Sequence, residues 1–336
     1  MSVLVESARQ CSRRKFLAAV GGGLLSSLRG GPLHAAGKRQ ARIAITFDLE
    51  MSRHYPRRGM TEWDYQKGNL DEPTKQYSVE AARLVNRRGG VIHFFCVGQV
   101  LEQPDVEWLK ALAKAGNPIG NHTYDHVNVL AATATDTQFR FQRAPWLVAG
   151  RSAVDVILEN IRMTTLGLKD RCGIDVEGFR TPGGFHQGLS NREDIQQMLL
   201  DLGFGWVSSK YPQHKSGEPM QPPGKDVYAD IVRAQAEAQP FVYPTGLIEI
   251  PMSPISDVTA FRSRFWTLEQ FLKAIRLAVE RAIETGGVFD FLCHPSCMVV
   301  EDPEFRTLRL ICDLVESAGN AATIVGLGDI ARQFEK

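Results

Sequence analysis

ARIAITFDLE, residues 41–50, decides the fold: a short apolar run rich in β-branched side chains that stops on two acids, Asp48 and Glu50. A run of this length bounded by polar residues reads as a buried strand rather than a helix. The chain beyond it keeps alternating. Val79–Arg87 has helical spacing and ends at Gly89-Gly90, Val91–Val97 (VIHFFCV) is a second strand, and Pro104–Ala115 is a second helix stopped by Gly116. Pro118–Asn121 leads into a histidine pair. Val148–Leu166 is a long helical stretch before Val176–Arg180, and Asn191–Leu202 a helix before Phe204–Ser208. Leu247–Pro251, Thr267–Glu284, Val288–Cys293, Glu304–Ala318 and Ala322–Val325 complete the series. Strand and helix in this alternation imply parallel strands with helical crossovers. Seven or eight strands over about 300 residues fit a closed barrel better than an open sheet.

Two segments interrupt the repeat. Arg53–Tyr77 is aromatic and charged (Trp63, Tyr65), and Tyr211–Pro244 is rich in Pro and Gly at its start. Long loops are functional or disordered, so these read either as substrate contacts or as solvated excursions.

The N-terminus has a separate logic. Arg13-Arg14-Lys15-Phe16-Leu17 precedes a mildly apolar stretch, Ala18 to Leu28, and a small-residue exit at Ala35-Ala36. A basic head, weakly apolar middle and small exit describe a secretory signal, and the adjacent arginines describe one of twin-arginine type. Residues 1–35 are therefore expected to leave on export to a periplasmic or extracellular location through the twin-arginine machinery. Residues 41–336 remain as one barrel domain. Without residues 1–35 the chain carries 34 basic and 37 acidic side chains, a formal charge of −3. That balance gives no electrostatic reason to expect nucleic acid or an anionic membrane as partner. No apolar run reaches spanning length, so no stable membrane insertion is expected after cleavage. Five of the six cysteines lie beyond the signal, so at least one thiol stays free or pairs outside the chain.

Every candidate chemical group falls at the exit of a strand, the ends that form one face of an α/β barrel. His122 and His126 flank Thr-Tyr-Asp. Two imidazoles and one carboxylate hold a divalent ion and leave a position open for water. Asp48 and Glu50, two apart on a strand, project to the same side; one can bind metal while the other takes the proton from water. Arg180 sits in Gly-Phe-Arg-Thr-Pro-Gly-Gly (178–184) and needs a carboxylate partner. Gly183 and Gly184 let backbone N–H groups approach a ligand, as an oxyanion hole requires. His294, in Phe-Leu-Cys-His-Pro-Ser (291–296), can protonate a leaving amine.

Asp48-Leu-Glu50, His122-Thr-Tyr-Asp-His126, Arg180-Thr-Pro-Gly183 and Leu292-Cys-His294 occur in the order and spacing of the polysaccharide deacetylase (NodB-homology) family, which the chain resembles from about Ile43 to Ala331. The resemblance implies a distorted (β/α)7 barrel that removes N-acetyl groups from an amino-sugar polysaccharide such as peptidoglycan or exopolysaccharide. It implies one divalent ion, zinc first, on Glu50, His122 and His126. Asp48 would be the base, Arg180 its holder, His294 the acid and the Gly183 N–H an oxyanion donor. Two departures stand out. The family's adjacent aspartates become Asp48-Leu49-Glu50, as in a subgroup with Asp-x-Asp/Glu, and the acid expected after the fifth strand to orient His294 is missing from Gly203–Ser208. Asp290 or another group is left to supply it. An allantoinase-like opener of cyclic amides or imides without metal, and an inactive glycan-binding barrel, are the competing readings.

Overall fold

The computed structural model describes residues 39–51, 53 and 67–334. The expected signal, residues 1–35, and Trp63 and Tyr65 lie outside these. Nine strands form among the described residues: β1 (Ala41–Leu49), β2 (Ile92–Cys96), β3 (Ile119–Asn121), β4 (Phe179–Phe185), β5 (Trp206–Lys210), β6 (Phe241–Val242), β7 (Ile248–Glu249), β8 (Val288–Cys293) and β9 (Ala322–Ile324). Their order is β6-β7-β5-β4-β3-β2-β1-β8, with β9 also on β1. β8, β1, β2, β3, β4, β5 and β7 run parallel, and β6 is a short antiparallel return on β7. The sheet curls into a distorted (β/α) barrel of one domain. No strand ladder joins β7 to β8 among the described residues. Ser253 crosses the seam instead: its N–H donates to the Asp290 C=O at 3.1 Å and its Oγ accepts the Asp290 N–H at 2.8 Å.

β1 explains the architecture. Ile43, Ala44, Ile45 and Phe47 are buried on both faces, the condition of a strand inside a parallel sheet flanked by helices. Phe47 meets Phe94 of β2 edge to face at 5.6 Å, and side chains of this kind each contribute about 1.5–3 kcal/mol on burial. No helix among the described residues is long and apolar enough to cross a membrane.

Several boundaries differ from the sequence pattern, each for a local reason. The first helix is Glu72–Arg87, starting well before Val79, because Asp71 accepts the Thr74 N–H and Pro73 suits the first turn. The loop expected to reach Tyr77 therefore ends at Asp71. The helix expected at Val148–Leu166 is Ala153–Cys172, set by a Ser152–Asp155 capping box and stopped by Gly173 in the left-handed region. Tyr211–Pro244 is not all loop: Lys225–Gln235 is a helix with Val227, Tyr228, Ile231 and Ala234 buried. The strand expected to end at Arg180 runs on through β4 to Phe185, with a register shift after Arg180. All five described cysteines are free thiols, and Cys297 is buried in the helix Pro295–Glu301.

Candidate metal centre

Asp48 and Glu50 leave β1 on the same side and are nearly inaccessible, at 4% and 5% exposed. His122 follows β3 directly, its N–H on the Cys96 C=O at 3.1 Å. The turn that returns the chain to His126 places Thr123 at φ +58° and His126 at φ +57°. A β-branched residue there is strained, and the surroundings enforce it. Asn121 Oδ1 accepts the Thr123 N–H at 2.8 Å, Thr123 Oγ1 accepts the Val127 N–H at 3.0 Å, and Asn160 Oδ1 accepts the Asp125 N–H at 2.7 Å. The two imidazoles consequently converge, ring centroids 5.1 Å apart. His122 Nε2 lies 3.1 Å and His126 Nε2 3.0 Å from Glu50 Oε1. Asp48 Oδ2 is 3.8 Å from His122 Nε2.

The donor chemistry fits a cation. His122 Nδ1 is 2.9 Å from the Arg180 C=O, a carbonyl that can only accept. The proton therefore sits on Nδ1, and in the neutral ring Nε2 turns a lone pair toward a carboxylate oxygen. Two acceptors 3.1 Å apart repel unless positive charge lies between them. One ligand atom from each of Glu50, His122 and His126 falls within a 4.8 Å group, as does one from each of Asp48, Glu50 and His294. Two imidazoles and a carboxylate suit zinc and several neighbouring divalent ions. Among the described residues no other such group occurs.

Behind the donors lies a buried network centred on Arg180, itself 0% exposed. Its Nη1 donates to Thr46 Oγ1 at 2.7 Å and Asp48 Oδ1 at 3.0 Å; Nη2 pairs with Asp290 and reaches Ser208 Oγ at 3.2 Å. The guanidinium rests 4.4 Å from the Phe95 ring centroid. Burial pushes the Asp290 carboxyl up to about 6 against the pull of Arg180. Asp290 thus belongs to Arg180 and does not orient His294. Asp257 does: its Oδ1 is 2.9 Å from His294 Nδ1 and its Oδ2 accepts the His294 N–H at 2.8 Å. His294 Nε2 then faces Glu50 Oε1 at 3.6 Å. Burial would lower the His294 pKa, but Asp257 and Glu50 together hold it well above the usual imidazole value. Burial would raise the Glu50 carboxyl, and Lys67, His126 and His294 outweigh it, holding the group well below the usual range. Burial and Lys67 bring His126 down to about 4.

These groups open on a pocket of about 300 Å³, lined by Asp48, Glu50, His126, Gly183, Tyr211 and His294 among others. Gly183 has φ +76° and open space where a Cβ would stand. The structure therefore gathers Asp48, Glu50, His122, His126, Arg180, Gly183 and His294 into one place. Sequence reading missed Asp257 and Lys67. Asp257 stands well past β7, with Ile250–Ser256 between them, so no strand exit points to it. Lys67, paired with Glu50, carries none.

A strand-exit face with a buried His/Asp/Glu donor set is the equipment of a metal-dependent hydrolase of carbon–nitrogen amide bonds, here of an amino-sugar polymer. The sequence pattern described as polysaccharide deacetylase matches residues 36–204, half of the chain, and the protein belongs to that family. A Mycobacterium smegmatis protein named a polysaccharide deacetylase is similar in structure at TM-score 0.58 and 14% identity, over 89% of this chain and 91% of its own. A Pseudomonas aeruginosa PAO1 protein of the same description gives 0.56 and 13%, over 89% and 92%. Puue allantoinase gives 0.54 and 12%, over 90% and 92%. At such identities the likeness shows the shared fold. No curated protein matches the sequence.

Proposed function

We propose that the protein is an exported zinc-dependent deacetylase that removes N-acetyl groups from an N-acetylated glycan. It would belong to the subgroup with Asp-x-Glu in the first motif, and residues 1–35 would serve as its twin-arginine-type signal. The observation that carries this reading is the approach of both His122 and His126 to one oxygen of Glu50, with Asp48 and His294 on the same pocket.

Glu50, His122 and His126 would hold the ion, which when bound supplies Lewis acidity able to bring a water's pKa down to about 7. Asp48, anchored by Arg180 on Oδ1, keeps Oδ2 for the proton of the attacking water. Gly183, free of a side chain, offers its N–H to the carbonyl oxygen as negative charge gathers there. His294, held by Asp257 in its protonated form, gives a proton to the departing nitrogen as the C–N bond breaks. Acetate and a free amine leave. Acid–base help of this kind is worth about 10²–10⁴-fold in rate.

The test is the metal content of residues 36–336 purified without chelator, with acetate release from N-acetylated glycans. About one divalent ion per chain is expected, lost in H122A and H126A, while D48N should keep folding and lose acetate release. A folded, metal-free protein would instead favour a metal-free amide or imide hydrolase, the reading that the Lys67 ammonium on Glu50 supports. Activity retained in full by D48N would remove the assigned base.

A further inference from the structure

Lys67 touches the donor set and has no task in the reaction above. Its ammonium pairs with Glu50 Oε2 and lies 3.2 Å from His126 Nε2. The residue is 4% exposed. Its position is fitted into the fold, because the next residue, Gly68, donates its N–H to the Glu50 C=O at 2.5 Å. Gly68 also has φ +78°, and a Cβ there would collide with Gln99 Cβ. Only glycine fits between β1's exit and Gln99, so the backbone is held against Glu50 at this point. Farther along, the Leu70 C=O accepts from the Gln103 amide at 2.9 Å.

An imidazole nitrogen has one lone pair. His126 Nε2 can give it to an ammonium N–H or to a metal ion, not to both, and two cations sharing Glu50 repel each other. We propose that Lys67 is a built-in competitor for the metal site, its ammonium and a divalent ion excluding each other at His126 Nε2. The site's hold on metal is thereby loosened, and the ligand pair keeps a positive partner through metal exchange. This rests on the metal-binding reading of Glu50, His122 and His126. The opposite role is a prop: Lys67 would hold Oε2 so that Glu50 presents Oε1 correctly, and removing it would weaken metal binding.

The experiment compares residues 36–336 of the wild type with K67M and K67Q, each stripped by chelator. Zinc is titrated in competition with a chromophoric chelator at one fixed pH, and visible absorption of cobalt gives an independent readout of binding. Lys67→Gln keeps a hydrogen-bond donor toward Glu50 without the charge, so a fold intolerant of methionine still yields an answer. We expect zinc to bind at least about tenfold tighter in the variants, and to raise the thermal midpoint further than in the wild type. Equal or weaker zinc binding in a folded variant overturns the competitor role and leaves Lys67 as a prop. Folded wild type and variants that all ignore zinc and cobalt overturn the metal-binding reading itself, and this inference with it.

Discussion

Adjacent residues of β5 serve two buried carboxylate clusters that are satisfied in opposite ways. Ser208 turns to the Arg180 network, where Asp48 and Asp290 share one guanidinium. Ser209, one residue on and so facing the other side of the sheet, serves Glu249 of β7. That carboxylate is held by neutral donors: the Ser209 and Lys210 N–H groups at 2.7 and 2.8 Å, the Tyr243 hydroxyl at 2.7 Å and the Ser209 hydroxyl. Burial raises the Glu249 carboxyl above its usual range. The charged cluster places Asp48 Oδ1 on the Arg180 guanidinium at 3.0 Å, beside the pocket. The neutral one ties β5 to β7 and to Leu189, whose N–H donates to Tyr243 at 2.9 Å.

The largest effect that would test this contrast is the loss of Arg180. Because R180K would keep the charge, the informative change is R180M, which strands two carboxylates inside the barrel. It should cost about 3–5 kcal/mol in urea unfolding; a cost no greater than that of E249Q would erase the distinction between the clusters. Next is D257N. In the proposed mechanism the protonated form of His294 is the acid, and Asp257 raises the pH to which that form survives. The variant should lose about 10²-fold in kcat, and the alkaline fall of its pH–rate profile should move to lower pH. An unmoved alkaline limb would separate Asp257 from the acid. The smallest effect belongs to E249Q, about 1–2 kcal/mol at neutral pH. Because the folded-state pKa of Glu249 is raised, its contribution is complete below the unfolded value near 4.5 and is lost as pH rises through the folded value. Urea curves across that window should show the wild type losing stability relative to E249Q as pH increases; parallel curves would mean that the neutral donors fully compensate the charge.

Sequence disclosed the site's donors because each sits at the exit of an apolar strand, where position alone is informative. The alternation of β1, β2 and β8 with helices was equally plain. What escaped had a physical reason. His294's partner comes from beyond β7, a strand of two ladder residues, whose short apolar signal gave no hint of the acid beyond it. The helix Lys225–Gln235 was masked by the prolines and glycines that precede it. Lys67 lies in a segment whose charge reads as ordinary surface, and only the packing of Gly68 against Gln99 carries it inward.

The pairing of β1 with β8 has a consequence for how the protein is made. Thr46 waits for Asp290, 244 residues later, which at about 5–20 residues per second is roughly 12–50 s of synthesis. Through that interval one edge of β1, carrying Ile43, Ile45 and Phe47, has no strand beside it, and such an edge invites pairing with other chains. Asp257 and His294 are also the last of the pocket's paired groups to emerge. The enzyme is thus incomplete, and that edge of β1 unpaired, until residues 288–294 have left the ribosome.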